Sequence, residues 1–114
     1  MKATISVLPG NVLYTQWHKG PIVLQQVKDI MEEMLLYLQQ YPIQKYIDDI
    51  STCEVDWPEA DQWIIHDWYP RALKLGVTKN ALIVAKGVNM AHVDEQCEIK
   101  SFNTLEDATA WIYL

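Results

Sequence analysis

Apolar residues recur along this chain in two different periods. Residues 3–8 and 12–17 are short β-prone runs separated by Pro9-Gly10-Asn11, where proline pre-sets one turn dihedral and glycine accepts a positive φ, so a hairpin is predicted. From Pro21 to Tyr41 the pattern changes. Val23, Val27, Ile30, Met31, Met34, Leu38 and Tyr41 return at steps of three and four, the spacing of one helical face. Gly20-Pro21 predicts the start of that helix and Pro42 its end. Lys28, Asp29, Glu32, Glu33, Gln39 and Gln40 fall on other faces, so one side lies on a core and the other in water.

The segment "QKYIDDIS" reads as a strand carrying Tyr46, Ile47 and Ile50, with Asp48-Asp49 near its end. A second helix has a legible start: Asp56 can accept the free amides of a first turn, Glu59 stands three residues on, and Pro58 sits where no donor is missed. It is predicted to run to Leu75 and stop at Gly76. "ALIVA", residues 81–85, is an unbroken apolar run, as in a strand covered on both faces. A short helix around 88–95, a strand over 98–102 and a last helix from Leu105, capped by Asn103 or Thr104, complete the reading. The order ββαβαβαβα predicts an α/β fold in a single domain spanning 1–114.

Composition narrows the function classes. Half of the residues are hydrophobic and 21% charged, an ordinary globular balance. The net charge of −6 opposes binding to nucleic acid or to an anionic membrane surface. The opening residues are too polar for a signal peptide, and no run approaches the roughly 20 apolar residues that span a bilayer. A soluble, cytoplasmic protein without stable membrane insertion is expected. Cys53 and Cys97 lie far apart with no CxxC spacing, so reduced thiols are expected rather than a disulfide or zinc knuckle.

Pro70 stands inside the second helix, where proline removes a donor and presses on the carbonyl of His66, at about 3 kcal/mol in a regular helix. A bend there, anchored by Trp63, Trp68 and Tyr69, is the expected accommodation, and a ligand groove at the bend is the functional alternative. The stretch Asp61-Gln62-Trp63, Asp67-Trp68-Tyr69-Pro70-Arg71-Ala72-Leu73 and Gly76, followed by the apolar strand and "SFNTLEDATAWI", resembles the STAS/Sec14-type domain family, in particular the SpoIIAA-like stand-alone bacterial proteins. The marker is W-x4-W-[YF]-P-R, and the order of elements covers most of the chain. The resemblance implies a mostly parallel sheet flanked by helices, with an antiparallel first strand. The better-known members are anti-sigma-factor antagonists switched by a phosphorylated serine in D-S-[ST]-G. At the matching place this chain has Asp56-Trp57-Pro58-Glu59, which lacks the hydroxyl, so that switch is not carried over, and Ser51 and Thr52 lie upstream of it.

Candidate chemistry is sparse. Asp48, Asp49, Glu54, Asp56, Glu59 and Asp61 gather acid near the end of a strand, where α/β sheets bind ligands. Caps and a first helical turn account for the later ones and leave Asp48 and Asp49 as weak metal candidates, with no metal or other cofactor expected. His18, His66 and His92 show no ligand spacing, a Cys53, His66 and Asp67 set lacks a nucleophile elbow, and Gly10, Gly20, Gly76 and Gly87 form no phosphate cradle. Arg71 could hold an anion beside Trp68 and Tyr69, or pair with Asp67 one turn earlier. The five tryptophans and six tyrosines exceed what a core of this size needs, so some rings are expected to form a contact surface, and Trp57, Trp63, Trp68, Tyr69 and Arg71 are the candidate ligand or partner contacts.

Three functions are therefore weighed. The leading expectation is a non-catalytic interaction or regulatory module, a homodimer or the binder of a protein partner. The second is binding of a lipid or other small apolar ligand near the bent helix. The third is a metal-assisted hydrolase on Asp48 and Asp49.

Overall fold

The computed structural model describes residues 1–88 and 96–114. Strands β1 (Ala3–Leu8) and β2 (Val12–Trp17) form the expected hairpin, with Leu8 opposite Val12. Its turn needs two left-handed residues, since both Gly10 (φ 79°) and Asn11 (φ 59°) are positive, and asparagine is among the few side chains that tolerate this.

The first helix differs at its start from the reading above. Gly20-Pro21 does not open it: those residues form β3 (Gly20–Pro21), which pairs in parallel with β5 (Cys53–Glu54). The Gly20 amide donates to Thr52 and the Ile22 amide to Glu54. Helix α1 (Leu24–Gln40) then starts behind Val23, whose amide donates to the Gln26 side chain at 2.9 Å. Val27, Ile30, Met31, Met34, Leu35 and Leu38 are buried on its inner face, while Val23 and Tyr41, predicted on that face, are exposed. Pro42 follows its end, as expected.

The remaining strands are β4 (Lys45–Asp49), β6 (Lys79–Ile83) and β7 (Glu98–Phe102), the last with the bounds read from the sequence. The sheet order is β1-β2-β4-β6-β7, with β1 antiparallel to β2 and every other pair parallel. This is the architecture that the resemblance implies. Stepping one way along parallel strands with crossovers of one hand brings α1 and the next helical stretch to the same face. Helix α4 (Leu105–Ile112), begun by Thr104 accepting the Asp107 amide at 3.1 Å, covers the other face through Ala108 and Ile112. The short helix expected over 88–95 lies, apart from its first residue, outside the described residues, as does His92.

Pro70 is accommodated by a change of helix type. Helix α2 (Trp57–Trp63) starts with Asp56 accepting the Glu59 amide at 3.1 Å, and α3 (Tyr69–Lys74) ends before Gly76 at φ 102°. Between them Ile64–Trp68 form a π-helical turn in which the Tyr69 amide reaches back five residues to the Ile64 carbonyl. The wider turn inserts one residue just before the proline, where a missing amide and a crowded carbonyl would otherwise break the ladder. It also resets the inward stripe: Ala60, Ile64 and Trp68 follow a step of four, and Tyr69 and Ala72 continue at three. Two adjacent aromatics, Trp68 and Tyr69, are thereby both buried.

Candidate functional site

The sheet face under α1, α2 and α3 is not filled. A cavity of about 360 Å³ lies between the strands and the π turn. Strand alternation places Trp17 from β2, Tyr46 and Asp48 from β4, Asn80 and Leu82 from β6, and Ile99 from β7 on this side. Trp57, Asp61, Ile64, Ile65, Trp68 and Tyr69 close it from the helical stretch, and Met31 from α1. The rings hold one another edge-on: Trp17 against Trp57 at 5.8 Å between centroids, and Tyr46 against Trp68 at 5.9 Å. The Trp68 indole is also fixed by donating to the Met31 carbonyl at 2.7 Å.

Two carboxyls, Asp48 and the half-buried Asp61, stand in this wall. Asp48 is 6% exposed and accepts the Trp17 indole N–H at 3.2 Å. Burial raises its pKa to about 7; hydrogen bonds from Trp17 and Asn80 act in the opposite direction, and nearby Asp49 adds to the rise. Beside it on β2, Thr15 is wholly buried and its hydroxyl has no hydrogen-bond partner. Burial likewise pushes the Tyr46 phenol well above its ordinary range.

The structure separates residues that the sequence places together. Asp48 and Asp49 are neighbours in a strand and so point to opposite faces. Asp49 accepts the amide and hydroxyl of Ser51, at 3.0 and 2.6 Å, and adds to the raised pKa of Tyr14. The two cannot close on one cation, and no cluster of three or more metal-ligating side chains occurs among the described residues. Of the four candidate contact rings, Trp68 and Tyr69 are buried and Trp57 and Trp63 half-buried, and Trp57, Trp68 and Tyr69 line the cavity. Trp63 stays outside it, under the Lys28 ammonium at 5.8 Å.

Arg71 pairs with Asp67 at 3.1 Å, and also with Glu32 of α1 through both guanidinium Nη atoms. It thus ties α3 to α1 and is turned away from the cavity. Cys53 is half-buried, and desolvation lifts its thiol to about 11, which opposes a nucleophilic role with His66 and Asp67, both exposed on the π turn. Trp17, Tyr46, Asn80 and Glu32 were not singled out from sequence. For the first three the signal was available, since strand alternation sets Tyr46 and Asp48 on one face and the parallel neighbours beside them.

No family model and no curated protein matches the chain. Among solved structures, it is similar to an uncharacterised protein of the DUF3478 family with a SpoIIAA-like fold from Shewanella loihica PV-4. The match has 15% identity and a TM-score of 0.52, covering 96% of this chain and 91% of that one. The fold is therefore SpoIIAA-like.

Proposed function

We propose that this protein is a non-catalytic binding module for a small, mostly apolar ligand held in the cavity beneath the π turn. The observation that carries the reading is a cavity of about 360 Å³ walled by aromatic rings around a single buried carboxyl. A pocket of this size leaves room that a small molecule can fill, and a carboxyl in apolar surroundings is costly to ionise even when hydrogen-bonded. The volume lies at the small end of ligand sites, which run from about 300 to 1,000 Å³. An engineered cavity of about 150 Å³ takes benzene, so this one suits a ligand of roughly a dozen non-hydrogen atoms. That is smaller than a lipid. The alternative in which exposed rings meet a protein partner or a second copy has less support, because Trp17 and Trp68 are buried and no tryptophan is fully exposed.

The test is a titration followed by the indole N–H signals in nuclear magnetic resonance. Small aromatic fragments are expected to shift Trp17, Trp57 and Trp68 and to leave Trp111, on the opposite face, unmoved. Uniform or absent shifts across a fragment set, together with no retained ligand in native mass spectrometry of protein purified from cells, would refute it.

A further inference from the structure

Resting on that ligand-binding reading, we infer that the ligand is an organic cation: a protonated amine or quaternary ammonium on a small apolar body, its charge set against Asp48. The described residues lining the cavity include two carboxyls, Asp48 and Asp61, and no lysine, arginine or histidine. The titratable groups facing Asp48 are Tyr46 from β4, Cys53 from β5, Asp61 from α2 and Tyr69 from α3, while β2, β6, β7 and α1 contribute the neutral Trp17, Asn80, Ile99 and Met31; Asp49, on the opposite face, acts on it only at a distance. An anionic ligand would therefore set like charge beside the buried Asp48 carboxyl, and a neutral one would leave that carboxyl as costly as before.

A cation removes that cost and gains twice. It pairs with a carboxylate in low dielectric, and Trp17, Trp57 and Trp68 line the cavity with rings whose faces attract positive charge. The net charge of −6 draws cations toward the molecule from a distance. Because burial holds Asp48 protonated to about pH 7, an ammonium entering below that pH expels the carboxyl proton to solvent and leaves an ion pair. Binding of a cation is thus expected to tighten as pH rises through this region, and binding of its neutral analogue to stay flat.

Three probes of one shape separate the outcomes: 2-phenylethylamine, 2-phenylethanol and phenylacetate, followed by the indole signals of Trp17, Trp57 and Trp68 and by calorimetry. At pH 8 the amine is expected to bind at least tenfold tighter than the alcohol, and phenylacetate weakest of all. The amine's advantage over the alcohol should shrink at pH 5.5, and Asp48→Asn should abolish it. Equal affinities for amine and alcohol in the wild-type protein, or a preference for phenylacetate, would overturn the cation assignment and leave the ligand-binding reading standing. Silence of all three indoles toward all three probes would overturn the ligand-binding reading itself. The wild-type comparison decides the matter whether or not the Asp48 variant folds.

Discussion

Replacing Asp48 by Asn is expected to flatten the pH dependence of stability and to stabilise the protein above neutrality. The carboxyl titrates at about 7 when folded, against an ordinary 3.8. Between those values the folded state keeps a proton that the unfolded chain has released, so stability falls as pH rises through the window, by about 1.4 kcal/mol per unit. The full difference of about three units corresponds to about 4 kcal/mol at pH 8, and it vanishes below about pH 4. Asparagine keeps an oxygen to accept the Trp17 indole N–H but carries no charge to desolvate. Urea unfolding of both proteins at pH 4, 6 and 8, followed by tryptophan fluorescence, measures the gap between them, in which contributions from other carboxyls cancel. The gap should open in favour of the variant from pH 4 to pH 8. Two curves running parallel over that range would refute the desolvation of Asp48.

Other expectations follow from the same geometry. Trp68→Ala removes a fully buried ring and strands the Met31 carbonyl, and should cost about 3–5 kcal/mol in the same unfolding assay; a loss under 1 kcal/mol would contradict its place in the core. Deleting His66 takes out the extra residue of the π turn and drives Pro70 onto a helical carbonyl, at about 3 kcal/mol, whereas the same deletion combined with Pro70→Ala should recover most of that loss. If the double variant is no more stable than the deletion alone, the turn does not exist to seat the proline. Native Cys53, held at about 11, should alkylate with iodoacetamide at pH 8 about 100-fold more slowly than in urea, read by site-resolved mass spectrometry; equal rates would place its thiol in water.

Local signals were readable in the sequence where their physics is local. The caps Asp56 and Thr104, the stop before Gly76 and the bounds of β7 all rest on residues within one turn of the feature. The β3–β5 pair escaped because two-residue strands have no period, and Gly20-Pro21 satisfies a helix-start pattern equally well. Glu32 escaped because its partner Arg71 lies 39 residues away, and an exposed glutamate on a helix predicts no particular partner. The site itself was half legible. Trp57, Trp68 and Tyr69 stand out as an aromatic surplus, but composition does not distinguish rings that form an outer surface from rings that line a pocket. Asp48 and Asp49 read as a pair because they are adjacent, and adjacency in a strand is what parts them.

The two sides of the sheet also make different demands on inheritance. Against α4, Ala81 and Ala108 are both wholly buried in one small cluster, where even a methylene has nowhere to go. Across the sheet, the hollow leaves room for a changed side chain. Descendants of one ancestor should therefore hold the α4 side nearly constant while the hollow's walls vary, so that one face drifts without renegotiating the fold.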